Sequence, residues 1–154
     1  MPYVFDTSAL VGAWRRKYPP EIFPSLWENL DTLGQSGQLF VPEEVLGELE
    51  RQDDELMTWV KERAAYLVVP TSRAVMLGAR AILVDHPRLS MVGTGRGRAD
   101  PFVIAEAQAR GCPVVTEEQG GSAAKPRIPF VCSRYQVGTL AILDVIRAEG
   151  WTFR

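Results

Sequence analysis

Short apolar runs alternate with amphipathic stretches along most of the chain. Residues 2–5, Leu39-Phe40-Val41, Leu67-Val68-Val69 and Pro113-Val114-Val115-Thr116 are too short for helices and rich in β-branched or aromatic residues, which predicts buried strands. Between them, apolar residues recur at helical spacing. Leu10, Val11 and Trp14 predict a helix that Ser8 caps and Tyr18-Pro19-Pro20 ends. Pro24 suits the first turn of a helix carrying Leu26, Trp27, Leu30 and Leu33, closed by Gly34 and Gly37. Pro42 opens a helix with Val45, Leu46 and Leu49. Residues 54–66 and 72–84 read as two more, and Asp100-Pro101 starts one that ends at Gly111. Further along, residues 128–131 predict a strand, 137–148 a helix and 151–153 a last strand. Residues 87–98 and 119–127 are Gly-rich loops.

Strands that alternate with helices and form no tight hairpins require crossover connections, hence a parallel sheet and an α/β fold. The length of 154 residues fits one domain, residues 1–154, with no internal repeat. A content of 46% hydrophobic and 23% charged residues excludes the disordered and fibrous classes. No apolar run approaches the roughly 20 residues needed to span a membrane, and the N-terminus lacks the pattern of a signal peptide, so a cytoplasmic location without membrane partners is expected. Cys112 and Cys132 lack C-x-x-C spacing and are expected to be reduced and structural. The only histidine, His86, cannot form a His pair or a His-rich zinc site, and reads as a solvated residue at a helix end. A net charge of −2 is not the basic footprint of most nucleic-acid binders. Basic residues are nevertheless clustered: Arg15, Arg16 and Lys17, then Arg96 and Arg98, then Lys125 and Arg127.

Four acids stand where an α/β fold would gather them. Asp6 follows the first strand, Glu48 lies on a helix, Asp100 opens a late helix, and Glu118 follows the strand ending at Thr116. The carboxyl ends of parallel strands converge on one crevice. Carboxylates crowded there repel, and coexist only by sharing protons or a cation. A hard divalent ion and water activation on a phosphodiester are the first chemistry to test. Each acid also has an ordinary explanation. Asp6 and Asp100 suit helix N-caps, Glu48 suits a solvated helix flank, and Glu117 and Glu118 suit a polar turn. The Gly93-Thr94-Gly95-Arg96-Gly97-Arg98 stretch is neither a P-loop nor a clear dinucleotide fingerprint; its arginines suit loose contacts to a polyanion. The case for chemistry rests on the order of the four acids along the chain.

That order resembles the PIN-domain family of metal-dependent ribonucleases, including the VapC-type toxins of bacterial toxin–antitoxin pairs. The resemblance is carried by Val4-Phe5-Asp6-Thr7-Ser8-Ala9-Leu10, Val45-Leu46-Gly47-Glu48-Leu49, Ala99-Asp100-Pro101-Phe102-Val103-Ile104-Ala105-Glu106-Ala107 and Val114-Val115-Thr116-Glu117-Glu118, and the tail resembles a less-studied PIN-like subgroup. It implies a three-layer α/β/α fold with a central parallel sheet. It implies that Asp6, Glu48, Asp100 and Glu118 bind Mg²⁺ or Mn²⁺ and are catalytic, with Ser8 and Thr116 as polar support. The family's fourth motif usually has Asp where Glu118 stands, so Glu117 is an alternative fourth acid. The implied substrate is RNA, cut to leave a 5′-phosphate, with Arg15, Arg16, Arg96 and Arg98 as candidate backbone contacts. An antitoxin protein and a homodimer are the implied partners. Apolar residues on the helices of residues 22–66 suit such an interface or the core. Two other readings remain at this point: a PIN-like RNA- or protein-binding module with weak or lost catalysis, and an unrelated α/β enzyme that holds a small phosphate ester with the 93–98 loop.

Overall fold

The computed structural model describes residues 1–52, 54–90 and 98–154. Among these residues, five short strands form one parallel sheet: β1 (Tyr3–Phe5), β2 (Leu39–Pro42), β3 (Val68–Val69), β4 (Val114–Val115) and β5 (Thr139–Leu140), in the order β3-β2-β1-β4-β5. The chain builds outward from β1 through β2 to β3, then returns to the other side of β1 with β4. The order therefore reverses between β1 and β4, and the loops leaving these two strands part there and open a crevice. Register places Phe5 opposite Val115, so the residues that follow, Asp6 and Thr116, emerge side by side.

Helices cover the sheet to give the three-layer α/β/α arrangement. They are α1 (Thr7–Gly12), α2 (Pro24–Gln35), α3 (Glu43–Gln52), α4 (Glu55–Glu62), α5 (Ala64–Leu67), α6 (Arg73–Asp85), α7 (Asp100–Arg110), α8 (Ile128–Arg134) and α9 (Ile142–Glu149). α7 packs on β1, β2 and β4 and is itself packed by α6. Its apolar side, Val103, Ile104 and Ala107, is buried with Tyr3, Val4 and Phe5 of the central strand. Gly111 ends α7 in the left-handed conformation, with φ 65°, a region open to glycine at little cost. The apolar residues of α2, α3 and α4, including Leu26, Trp27, Leu30, Val45, Leu49, Leu56 and Val60, belong to the core. No helix among the described residues is long and apolar enough to cross a membrane. Both cysteines are buried and free, and His86 ends α6 half-buried against Phe130 and Tyr135.

Several local expectations fail for identifiable reasons. Residues 128–131 are helical: Arg127 is extended, Pro129 fits the first turn, and the Val131 N–H reaches the Arg127 carbonyl at 3.0 Å. Ile128, Val131 and Cys132 then bury one face, and a strand would have placed Pro129 where it has no N–H for a ladder. The last strand is β5, not residues 151–153. Gly150 ends α9 in the left-handed region and the Trp151 N–H bonds back to the Ile146 carbonyl. The helix expected over 137–148 accordingly begins only at Ile142. Ser8 does not cap α1; Asp6 holds the N-cap position and Ser8 sits in the first turn. The helix expected over 54–66 is α4 and α5, broken at Arg63.

Tyr3 joins the central strand to the last helix, its hydroxyl donating to Glu149 Oε2 at 2.7 Å. Burial first, then Glu149, pushes the phenol up to about 12, so it stays a donor. Tyr3→Phe is expected to cost about 1 kcal/mol, or roughly 2–4 °C in melting temperature, as read by thermal unfolding.

Candidate functional site

The crevice at the strand-order reversal is where the acids meet. Carboxylate oxygens of Asp6, Asp100 and Glu118 all lie within 4.8 Å of one another. Asp6 comes from the end of β1, Asp100 from the first turn of α7, and Glu118 from the segment after β4. They line a cavity of ≈370 Å³ together with Glu48, Thr7, Ser8, Val11 and Gln52. Asp6 and Asp100 are only 2% and 8% exposed, so bulk water does little to screen their charges.

Asp6 is held by hydroxyls and backbone. Ser8 Oγ and Thr116 Oγ1 donate to its Oδ2 at 2.6 and 2.9 Å, and the backbone N–H groups of Thr7 and Ser8 face the same carboxylate at the start of α1. The two hydroxyls also accept from the next loop, Ser8 from the Glu117 N–H at 3.1 Å and Thr116 from the Glu118 N–H at 3.1 Å. This network ties α1 to the segment carrying Glu118. Glu48 stands beside the trio. Its Oε1 accepts from Thr7 Oγ1 at 3.1 Å and from the Ala99 N–H at 3.2 Å, which links α3 to the start of α7.

Burial dominates the electrostatics. It pushes Asp6 up against the opposing effect of its hydrogen bonds. Burial and then the charges of Asp6, Glu118 and Glu48 push Asp100 up to about 9. Burial and then Asp6 push Glu118 up to about 7, against the pull of Arg127. Glu48 is raised by burial as well. Among the described residues, no ion pair reaches any of these four acids. The missing countercharge is the observation that tests a metal here, and the donor set fits one. Carboxylates that converge with no ion pair from the described residues, two of them buried and one fixed by hydroxyls, suit a hard ion such as Mg²⁺ or Mn²⁺. The nearby Cys132 thiol is pushed up to about 12, by burial first and then by Asp6, Asp100 and Glu118, so it stays protonated and offers no thiolate.

A family model described as "Domain of unknown function (DUF4411)" matches residues 3–153. The chain belongs to this family. No curated protein matches it. Among solved structures, the fold is similar to a chain of the crystal structure of VapBC2 from Rickettsia felis bound to a DNA fragment from their promoter. That match has a TM-score of 0.56 at 16% identity and covers 92% of this chain and 98% of the other. The likeness is one of fold, and it agrees with the PIN-like architecture that the four motifs imply.

In this DUF4411 domain the two glutamates after β4 separate. Glu118 joins the trio, whereas Glu117 turns to Arg16 and Lys17, at 2.7 and 2.9 Å. The Glu117 carboxylate lies over bare Gly12, where a Cβ would come within 1.7 Å of its Oε2. The first helix widens into a π-helical turn over Ala13–Lys17, which carries these cations. Arg15 pairs with Asp54, and Arg98 lines a neighbouring cavity beside Glu48. Arg96 lies outside the described residues, as does the 93–97 part of the Gly-rich loop. Thr7, Val11 and Gln52 also line the acid cavity. Thr7 had one available signal, its place immediately after Asp6. Gln52 had none, because its nearness depends on how α3 is docked.

Thr116→Val removes one donor to Asp6 and one acceptor for the Glu118 N–H at once. It is expected to weaken Mn²⁺ binding about 10–100-fold, as for other groups that orient ligands. Calorimetric titration checks this.

Proposed function

We propose that the protein is a metal-dependent endoribonuclease and the toxin of a toxin–antitoxin pair. The observation that carries this reading is the convergence of three carboxylates within 4.8 Å, those of Asp6 and Asp100 buried and that of Glu118 half-buried, with no ion pair from the described residues reaching them. The order of the four motifs and the VapBC2-like fold support the nuclease and toxin parts.

Asp6, Asp100 and Glu118 would hold Mg²⁺ or Mn²⁺, with Glu48 completing the acidic set. When bound, such an ion supplies Lewis-acid polarisation of phosphoryl oxygens and lowers the pKa of water. The chain supplies the rest. Ser8, Thr116 and the start of α1 hold Asp6 in one orientation, so little reorganisation is needed when charge develops. Among the described residues both hydrogen bonds to Glu48 fall on Oε1, and Oε2 would accept a proton from the attacking water. The raised pKa of Glu48 brings it closer to neutral, where a general base works best. In the hydrolysis, water forms a bond to phosphorus, the bridging P–O bond breaks, and the departing sugar oxygen takes a proton.

The test is a titration of Mg²⁺ and Mn²⁺ into purified protein and bulk RNA. Cleavage is expected with either ion, with none in EDTA. RNA binding without cleavage under every metal condition would replace this reading with a binding module. A small gene beside this one, encoding a partner that suppresses the cleavage, is the corresponding test of the toxin role.

A further inference from the structure

Gly12 closes α1 at φ −63° and ψ −40°, an ordinary right-handed helical conformation. Most residues adopt it, and glycine is the poorest helix former after proline. The backbone therefore gives no reason for glycine at this position, whereas space does. A Cβ on Gly12 would meet Glu117 Oε2 at 1.7 Å, Cδ at 2.2 Å and Oε1 at 2.6 Å, and these are its three nearest atoms. The Glu117 carboxylate fills the volume that any other side chain would need.

Two cations complete the seat. The π-helical turn over Ala13–Lys17, closed by the Tyr18 N–H on the Ala13 carbonyl at 2.8 Å, brings Arg16 to Oε2 and Lys17 to Oε1 of that carboxylate. π-turns interrupt helices frequently at functional sites. Both cations are more than half exposed, and exposed ion pairs contribute little to stability. Stability therefore does not account for a helix-weakening glycine and a widened turn at such a pair.

Position within the acid site does account for them. Residue 117 stands between Thr116, which donates to Asp6, and Glu118, which joins the trio. Its N–H donates to Ser8 Oγ at 3.1 Å, so its backbone and its side chain are both fastened to the first helix. After Glu118 the chain forms no helix or strand until Ile128, whose N–H faces the Glu118 carboxylate. The firm anchor nearest to Glu118 along the chain is thus the residue just before it.

We propose that Glu117 is a positioning residue: seated over Gly12 between Arg16 and Lys17, it fixes Glu118 at the metal site. The role deepens the metal-dependent reading above and rests on it.

The test is Mn²⁺ binding to the full chain without RNA, read by loss of the electron paramagnetic resonance signal of the free ion. Glu117→Ala, and Arg16→Ala combined with Lys17→Ala, are each expected to weaken binding about 10–100-fold, as for other groups that orient ligands. Gly12→Ala should do the same, because its methyl displaces the carboxylate. Arg16→Lys keeps the charge and should bind like the parent. The deciding comparison uses Glu118→Ala as the starting point. There Glu117→Ala should cause no further loss, because residues acting through one another are not additive. A purely structural role would give the same loss with and without Glu118. Should Gly12→Ala fail to fold, its combination with Glu117→Ala removes the three atoms nearest the new Cβ and should bind like Glu117→Ala alone. Parent-like affinity in folded Glu117→Ala, or an equal loss in both backgrounds, overturns the positioning role and leaves the metal site standing. A parent that binds no Mn²⁺, or binds it equally well after Asp6→Asn, overturns the metal reading and this role with it.

Discussion

Asp6→Asn and Asp100→Asn are each expected to lower divalent-ion-dependent RNA cleavage by more than about 100-fold, beyond the loss typical of a group that merely orients a ligand. Neither should unfold the protein. In Asp6→Asn the new amide oxygen can still accept from Ser8 and Thr116, and the substitution removes a charge that raises Asp100, Glu118 and Glu48. Asp100, with its pKa near 9, is already largely neutral at pH 7 in the absence of metal, so an amide changes little there. The melting temperature in EDTA should therefore hold or rise while cleavage and the response to Mn²⁺ disappear. Lost activity with an intact or tighter fold separates an ion-binding role from a structural one. Undiminished cleavage by both variants would remove these carboxylates from the reaction.

The second large effect is the opposition of pH and metal in stability. Asp100 is raised from 3.8 to about 9 and Glu118 from 4.5 to about 7, both chiefly by burial. Between the unfolded and folded values, the native state binds more protons than the unfolded chain. Stability then falls as pH rises. For the metal-free protein this contribution is fully present below about pH 4 and is lost as pH rises through about 7 and then 9. Other groups shape the acid limb, and from neutral pH upward these two contribute a downward slope, in the same direction as the raised Asp6 and Cys132. A bound dication reverses it, because it takes the ionised carboxylates and is released when they are protonated. At a hundredfold excess over its dissociation constant a ligand stabilises by about 2.7 kcal/mol, which for a domain of this size is roughly 5–10 °C. Thermal melts at pH 5, 7 and 9, with EDTA or Mn²⁺, should show the metal increment growing with pH. An increment that shrinks from pH 5 to 9, or a metal-free protein that gains stability from pH 7 to 9, would contradict the assigned cluster.

The fold was legible where a segment's own pattern left one solution. Tyr3-Val4-Phe5 can only be a buried strand, and the helices opening at Pro24, Pro42 and Asp100 carry their own start signals. The expectations that failed most widely were at the C-terminal end. Ile128-Pro129-Phe130-Val131 is apolar at both strand and helix spacing over so few residues. Thr139 and Leu140 become a strand only because β4 offers them a free edge. Such assignments are made by the partner, which local periodicity cannot see.

The candidate site divides along the same line. The sequence by itself determined the kinds of donor available, all hard oxygen acids with no histidine pair or thiol pair, and their placement at strand ends and helix starts. Only the tertiary structure decided which of them meet. Register between β1 and β4 set Asp6 beside Thr116, and the docking of α7 brought in Asp100. Two adjacent glutamates were split, Glu118 to the acids and Glu117 to Arg16 and Lys17 over bare Gly12. The reason is one of range: propensity and periodicity act over a few residues, whereas the repulsion that makes this crevice chemically distinctive arises between groups up to 112 positions apart, once packing has excluded the water that would screen them.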